Sequence, residues 1–458
     1  MTPFLDRESQ MPLYVQLYQY IKSEIESGKI KPGEKLPSIR RFSQFLDVSK
    51  NTVEEAYQQL LAEGYAESRP KSGIIVNKLD EFPLKQEKEQ LPVILNAELE
   101  KPKIDFQYGH IDAVAFPARK WKNALSEAAF DLSLLQYGDK QGQFSLRREL
   151  TGYLYRSRGI ECTPEQIIIT SGTQNSISVI MSILELRGEV IAMENPGYDG
   201  VGKVLLHQGG IVEPVTVEDD GISVEELAEK RAKAVYVTPS HQFPLGMVLS
   251  INKRLKLLKW AAETGGYIVE DDYDSEFRYQ GQPIPPLKSL DPNDRVIYLG
   301  TLSKSFLPAA RLSYIVLPPA LMAGYKRDFS LYSQPVSPII QEAAARFMKE
   351  GDFDQHIRKM RVLYQAKHKV LLESVSSMME HKAAVIGQKA GLHILIKLEG
   401  RKSEELAAKA AKKGVKVYPA NQYWAGGEGD DLIMLGFGGL SPEEIAEGIK
   451  LLSEAWID

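Results

Sequence analysis

The residues best suited to chemistry lie in two short segments of the second half of the chain. Lys304 follows Ser303 and is itself followed, further along, by Arg311. Asp271 and Tyr273 stand at the end of an apolar run. Such a lysine can form a Schiff base, the acid can hold the proton of a pyridinium ring, and hydroxyls with an arginine can bind a phosphate. Together these residue types indicate pyridoxal phosphate (PLP) chemistry.

A third segment offers a phosphate site. The sequence Thr170-Ser-Gly-Thr-Gln174 follows an apolar run and precedes a helical pattern predicted from Asn175 onward. Backbone N–H groups at the start of a helix bind phosphate, and the Ser and Thr hydroxyls add donors. Many strand–turn–helix junctions look alike, so this segment gains meaning only beside the lysine and the acid.

The elements that must position these side chains alternate between strand-like and helical patterns. Apolar runs separated by helical lengths predict a buried, mostly parallel sheet in an α/β domain. These runs are 167–170, 190–193, 234–238, 267–270 and 296–299. Helices are predicted at 341–348 and 355–375, followed by a smaller α+β part around 392–396 and 432–435.

The first 78 residues have a different pattern. Apolar residues at helical spacing predict three helices: one from Leu13, a second capped by Ser38 and a third capped by Ser49. Two short strands around a basic turn follow, between 65 and 76. This order is typical of a winged helix-turn-helix, with the third helix as the recognition helix. The predicted DNA contacts are Arg40, Arg41, Ser49, Lys50, Asn51, Thr52, Arg69 and Lys71.

The composition of the chain limits which classes of protein these predictions allow. The chain has 458 residues, a net charge of −5 and a single cysteine, which excludes an intrachain disulfide. Residues 1–78 carry 11 Lys and Arg against 10 Asp and Glu, a net charge of +1, so DNA binding depends on local placement and on dimerisation. No apolar run reaches the ~18 residues of a membrane span, and we expect a cytoplasmic protein. The predicted domains are a head at 1–78, an exposed linker at 79–103 and a PLP-binding domain at 104–458.

Longer segments of the chain resemble a known family. Leu36–Arg40 and Val48–Val53 resemble a GntR-type winged helix, while Tyr137–Gly142, Glu194–Tyr198 and Thr238–Gly246 are similar to segments of fold-type I aminotransferases. Their fusion resembles the MocR subfamily of bacterial regulators over about residues 10 to 455. The resemblance implies a homodimer in which the head of one subunit lies near the body of the other.

The resemblance also implies roles for individual residues. Lys304 would form the Schiff base with PLP, Asp271 would bond the pyridine nitrogen and Tyr273 the phenolic oxygen. Tyr198 would stack on the ring, and Tyr137 would reach the phosphate in the neighbouring subunit. The implied phosphate ligands are Gly172, Thr173, Ser303 and Arg311.

Several positions depart from the aminotransferase pattern. Phe243 stands where those enzymes carry an asparagine that bonds the cofactor, and Gly439 stands where an arginine binds the carboxylate of the substrate. Because a bidentate arginine–carboxylate pair is a strong orienting interaction, its loss argues against an ordinary α-amino acid as substrate. His110, His241 and His393 have no partners that the sequence can identify.

The sequence therefore predicts a PLP-dependent transcriptional regulator that binds operator DNA. Two hypotheses for its signal stay open: an amino compound that reacts with the cofactor, or PLP itself, with control of vitamin B6 metabolism. A working aminotransferase that carries a DNA-binding head is the alternative from another class. A head that binds protein and not DNA is a third hypothesis.

Overall fold

The structure is a computed structural model that describes residues 3, 5–9, 11–79, 102–279, 284–427, 429 and 431–457. The chain separates into two compact units, Met1–Leu99 and Glu100–Asp458, which we call the head and the body. Most of the linker predicted at 79–103 lies outside the described residues. Within the described residues, the helices are too short or too polar to cross a membrane.

The head contains three helices followed by a hairpin, as predicted. Its elements are α1 (Leu13–Glu26), α2 (Ile39–Leu46), α3 (Lys50–Ala62), β1 (Ala66–Arg69) and β2 (Gly73–Val76). Leu17, Ile21 and Ile25 recur on one face of α1 and are buried against the other two helices. The hydroxyl of Tyr57 donates to the carbonyl of Pro37 at 2.9 Å, which ties α3 to the start of α2.

Both predicted caps of the head are present. The Ser38 hydroxyl accepts from the backbone N–H of Arg41, and the Ser49 hydroxyl accepts from that of Thr52. Asp47 adopts a left-handed conformation with φ of 52°, which turns the chain sharply between α2 and α3. The caps and the turn fix where the two helices begin and how they are joined, as a helix-turn-helix requires.

The body is built from alternating strands and helices. Its first half comprises β3 (Ile104–Asp105), α4 (Ala118–Ala129), α5 (Phe144–Arg158), β4 (Ile167–Thr170), α6 (Thr173–Ile183), β5 (Val190–Asn195), α7 (Asp199–His207), β6 (Ile211–Glu218), β7 (Gly221–Ile222), α8 (Val224–Glu229) and β8 (Ala234–Val237). Next come α9 (Ile251–Thr264), β9 (Tyr267–Asp272), α10 (Leu287–Leu290), β10 (Val296–Thr301), β11 (Ser313–Val316), α11 (Pro319–Asp328), α12 (Pro338–Lys349) and α13 (Asp352–Met379). The last elements are β12 (Ala383–Ile386), β13 (His393–Leu398), α14 (Ser403–Lys412), β14 (Val415–Lys416), β15 (Tyr418–Pro419), β16 (Leu432–Gly436) and α15 (Pro442–Trp456).

The central sheet has the strand order β4-β11-β10-β9-β8-β5-β6-β7. The pairings from β10 through β9, β8 and β5 to β6 are parallel, and β11 is antiparallel to both of its neighbours. The prediction of a mostly parallel sheet is therefore confirmed. The apolar patterns of β6 and β11 were not recognised, because β6 is only partly buried and β11 follows the lysine segment closely.

Both faces of this sheet are buried. Ile268 packs with α9 on one face, and its neighbour Val269 packs with α6 on the other. Successive residues of a strand point to opposite faces, so a sheet covered on both sides produces the continuous apolar runs seen in the sequence. A smaller antiparallel sheet, β12-β13-β16-β15, packs against α13 and α15 and forms the C-terminal part of the body.

Candidate functional site

A cavity of about 270 Å³ lies at the carboxyl ends of the central strands. β4, β8, β9 and β10 run in the same direction, so their ends meet at one edge of the sheet, where ligands of open α/β folds bind. The cavity brings together eight of the nine predicted cofactor residues, all but Tyr137. Its lining consists of Tyr108, Gly172, Thr173, Gln174, Tyr198, Tyr236, Thr238, Phe243, Asp271, Tyr273, Thr301, Ser303, Lys304 and Arg311.

Lys304 lies in the turn that follows β10. Its Nζ atom is 3.8 Å from the centre of the Tyr108 ring, and a Cβ at Gly109 would lie 2.8 Å from that atom. Burial lowers the pKa of the Lys304 amine to about 8, although Asp274 and Asp271 oppose this shift. The amine is therefore easier to deprotonate than a surface lysine, as a nucleophilic lysine requires.

Asp271 is the next-to-last residue of β9, and one of its carboxylate oxygens is hydrogen-bonded while the other is available. The hydroxyl of Tyr236, on the adjacent β8, donates to Oδ2 at 2.6 Å. Oδ1 is buried and has no hydrogen-bond partner within the described residues. Burial raises the pKa of Asp271 to about 7, and the bond from Tyr236 works against that rise. An unpaired buried carboxylate oxygen is costly, and a protonated ring nitrogen would satisfy it.

The predicted phosphate residues surround the N-terminus of α6. The helix begins at Thr173, two residues before the predicted start at Asn175. Gly172 has a φ of 123°, and a Cβ there would collide with the guanidinium of Arg311. Arg311 donates from Nη2 to the carbonyl of Ser171 at 2.8 Å, which holds the guanidinium over this helix end. A glycine turn, a helix N-terminus and an arginine form a site for a dianion.

An aromatic wall encloses the rest of the cavity. Phe243 is buried and its ring centre lies 5.4 Å from that of Tyr108, 5.7 Å from that of Tyr198 and 6.1 Å from that of Tyr273. Tyr423 also packs edge-on against Phe243 at 4.9 Å. An aminotransferase is expected to have an amide at this position. Here the apolar ring of Phe243 packs against the surrounding tyrosines instead.

Gly439, the position that the resemblance assigns to the missing arginine, is closed by packing. Gly439 follows β16, and a Cβ at this residue would lie 2.7 Å from the Cβ of His110. A larger side chain would therefore require His110 to move. Within the described residues, the only cationic side chains that line the cavity are Lys304 and Arg311.

The sequence identifies no partner for His241, whereas the structure gives it two. Its Nδ1 lies 3.0 Å from Oδ2 of Asp274 and 3.0 Å from the hydroxyl of Tyr273. A carboxylate can only accept, so Nδ1 carries a proton and donates it toward Asp274. The oxygen of the Tyr273 hydroxyl faces the same N–H. The hydroxyl hydrogen of Tyr273 can therefore be donated to a ligand in the cavity. His393 also has a partner, since its Nε2 lies 3.0 Å from the carbonyl of Pro244.

Other lining residues were also missed at the sequence level. Tyr236 and Thr238 lie two residues apart at the end of β8, and the alternation of strand side chains could have placed both on the face of the cavity. Tyr108 comes from a segment more than 190 residues before Lys304 and carries no local pattern that links the two. Tyr137 does not line the cavity and is 88% exposed, so its predicted role in a neighbouring subunit stays a prediction.

The head presents the predicted DNA contacts at its surface. Arg40, Arg41, Lys50 and Asn51 are exposed at the start of α2 and α3, while Arg69 and Lys71 are exposed on the hairpin. In the part of the head that the structure describes, Arg40, Arg41, Lys50 and Lys71 form no ion pair with a carboxylate, whereas Arg69 pairs with Glu67 at 2.6 Å. Ser49 and Thr52 are engaged in capping α3. Their contact with DNA stays a prediction.

Comparisons with known proteins agree with both units. Residues 13–76 match the family described as bacterial regulatory proteins, gntR family, and residues 101–451 match aminotransferase class I and II. The chain is 41% identical over 99% of its length to the uncharacterized HTH-type transcriptional regulator YdeL of Bacillus subtilis, covering 99% of that protein. It is 34% identical over 99% of its length to the probable rhizopine catabolism regulatory protein MocR of Rhizobium meliloti, covering 95% of it. An archaeal alanine:glyoxylate aminotransferase structure superposes with a TM-score of 0.73 at 28% identity, over 77% of this chain and 90% of that one.

Proposed function

The chain belongs to the MocR subfamily of gntR-type bacterial transcriptional regulators, and from that premise we propose that PLP held in the body controls how the head binds operator DNA. The observation that carries this proposal is the cavity, in which a lysine of lowered pKa, a buried acid and a phosphate cradle meet. These groups come from separate strands and turns. Their convergence is what a PLP site needs.

The residues present fit PLP. Lys304 would hold its aldehyde carbon, Asp271 would accept from the ring nitrogen through Oδ1, and Tyr273 would donate to the phenolic oxygen. Gly172, Thr173, Ser303 and Arg311 would bind the phosphate, and Tyr198 would stack on the ring. When bound, PLP supplies an aldehyde that reacts reversibly with primary amines.

The head would bind double-stranded DNA through the exposed start of α3. Lys50 and Asn51 are placed to reach base edges, and Arg40 and Arg41 to reach phosphates. Because a single head is nearly neutral, we propose that a homodimer presents two heads to two half-sites. A DNA-binding regulator of this kind acts in the bacterial cytoplasm.

Exposed apolar residues of the body support a homodimer. Tyr137 is 88% exposed and Leu331 is 92% exposed, and Lys140 contacts the carbonyl of Ser330, so the two segments lie side by side. Phe144 and Tyr332, close in sequence to these two residues, are 50% and 64% exposed. Large apolar side chains exposed on neighbouring segments are typical of an interface. In a dimer, Tyr137 would reach the phosphate held by the other subunit.

The signal would be PLP itself or an amino compound that reacts with it. We favour PLP, because among the described residues that line the cavity Arg311 is the only arginine that could bind the carboxylate of an amino acid, and because aromatic rings enclose the rest. Titration of the PLP-loaded protein with a panel of amines, followed by absorbance and by DNA affinity, distinguishes the two signals. A spectral change with one physiological amine, together with altered DNA affinity, would exclude PLP as the only signal.

The test of the main proposal is selection of DNA by the full-length protein. Duplexes enriched from a genomic library should bind with an affinity that changes when PLP is added. Lys50→Ala should lose the sequence preference, while Lys29→Ala, a control whose side chain pairs with Glu24 on α1, should retain it. The proposal is contradicted if no duplex is enriched. It is also contradicted if PLP leaves the DNA affinity of the unaltered protein unchanged, as is expected for Lys304→Ala.

A second candidate function is aminotransfer. The meeting of Lys304, Asp271 and Tyr273 in one cavity favours it, because a half-reaction on PLP uses residues of these three types. Sustained turnover of an amino-acid and keto-acid pair, abolished by Lys304→Ala, would establish it. The aromatic edge of Phe243 and the closed position at Gly439 argue against efficient turnover.

A further inference from the structure

A second cavity of the body, of about 220 Å³, is lined by four arginines. Arg156 and Arg158 come from α5, and Arg358 and Arg361 lie one turn apart on α13. Glu276 and Asp354 complete its charged lining. None of these residues belongs to the PLP site.

The arginines of this cavity retain unused donors. Arg158 is buried and pairs with Asp272 at 2.7 Å, yet its Nε atom has no partner within the described residues. Arg361 donates from Nε to the carbonyl of Glu276, which leaves its terminal nitrogens available. In the same described part of the body, Arg358 has neither a hydrogen bond nor an ion pair. Arg156, Arg358 and Arg361 are exposed to solvent, whereas Arg158 is buried and its unpaired Nε is costly. An oxyanion would accept from several of these guanidinium groups at once.

The charges around the cavity leave a positive excess. Arg156 pairs with Asp354 at a distance of 3.5 Å, longer than that of a direct hydrogen bond. Glu276 accepts from the Tyr153 hydroxyl at 2.8 Å, and burial raises the pKa of its carboxyl to about 7. Four guanidinium groups therefore have two aspartates as partners, Asp272 and Asp354, beside a third acid, Glu276, that is partly neutral at pH 7.

We propose that this cavity binds a small oxyanion ligand that carries a phosphate or two carboxylates. Guanidinium forks match both groups in a bidentate manner, and the volume is below the ~300 Å³ at which sites for drug-sized ligands begin. Asp271 faces the PLP cavity and Asp272 binds Arg158, so the two cavities lie on opposite faces of the end of β9. The ligand would therefore bind on the other side of β9 from the cofactor, without sharing its contacts.

The experiment is calorimetric titration of the full-length protein, saturated with PLP, with succinate and separately with inorganic phosphate. Saturation with PLP keeps added phosphate away from Gly172 and Arg311. Arg358→Ala combined with Arg361→Ala should weaken binding by roughly tenfold or more, since each charge-assisted bond contributes that much. The control, Arg148→Ala combined with Lys369→Ala, removes two charges from exposed pairs of the same two helices and should leave the affinity unchanged.

Binding of either anion with this pattern supports the site and identifies its ligand class. The site is refuted if neither anion binds at up to about 10 mM, or if both double variants weaken binding equally. Equal thermal midpoints of the variants and the unaltered protein exclude unfolding as the cause. Because succinate has no phosphate, its titration tests the site even if the cofactor proposal fails.

Discussion

The hydrogen bond from Tyr236 to Asp271 provides the sharpest test of the proposed cofactor site. The hydroxyl lies 2.6 Å from Oδ2, and the pKa of Asp271 is about 7 because burial raises it more than this bond lowers it. Tyr236→Phe removes the donor and preserves the buried ring. The ionised carboxylate then loses its partner, and its pKa rises further.

The magnitude follows from the strength of the bond. A hydrogen bond to a charged acceptor contributes about 1.5–3 kcal/mol, which corresponds to about one to two pH units at 1.36 kcal/mol per unit. A protonated ring nitrogen requires the ionised form of Asp271. The affinity for a ligand with this ring should therefore be highest above the pKa of the Asp271 carboxyl and should fall as the pH decreases through that pKa. Tyr236→Phe should move the midpoint of this fall upward by about one to two pH units. At pH 7 the variant should bind roughly tenfold more weakly.

Pyridoxine 5′-phosphate is the suitable ligand for the assay, because it has no aldehyde. It cannot react with the Lys304 amine, so the measurement reports noncovalent binding alone. Its dissociation constant is measured by fluorescence between pH 6 and 9 for the unaltered protein and the variant. Tyr298→Phe is the matched control. It removes a hydroxyl that donates at 2.6 Å to Asp272, the next residue of the strand, whose side chain points away from the cavity.

The control should not raise the midpoint, since a weakened charge on Asp272 makes Asp271 easier to ionise. Coincident pH profiles for Tyr236→Phe and the unaltered protein would refute the assignment of Asp271 as the residue that holds the ring nitrogen. A uniform loss of affinity at every pH would indicate a packing defect and would refute it as well.

Three further predictions concern the lysine, the tyrosine and the head. Lys304→Ala should retain less than about a tenth of the bound PLP after dialysis, measured by absorbance, because its covalent attachment is lost. Asp274→Asn and Tyr273→Phe should each weaken PLP binding by roughly threefold to tenfold. Their double variant should bind little more weakly than either single variant, because Asp274 acts through His241 on the Tyr273 hydroxyl. Additive losses of binding free energy would contradict this coupling. Arg40→Ala with Arg41→Ala should reduce the slope of log affinity against log salt by about two per head, and an unchanged slope would show that neither residue contacts phosphate.

The sequence was sufficient to predict the elements of the head and most strands of the central sheet, although β6 and β11 were missed. Strands covered on both faces require unbroken apolar runs, and helices packed on one face require apolar residues at helical spacing, so burial leaves a pattern that can be read directly. The caps Ser38 and Ser49 were predicted for the same reason, since a cap acts within one turn of its own helix. Lys304, Asp271 and the segment around Gly172 could be named because each stands at the end of a predicted element.

Contacts between distant segments could not be predicted in this way. His241 and Asp274 form their pair because the turn after β8 lies beside the end of β9, and Tyr108 reaches Lys304 from a segment far earlier in the chain. The pKa values near 7 of Asp271 and Glu276 depend on how completely other elements remove water from these groups. The sequence by itself determined which chemical groups the protein contains and the elements that hold them, because those depend on local pattern. Only the tertiary structure decided which groups share one cavity and how easily each one ionises, because distance and burial are set by the packing of the whole body.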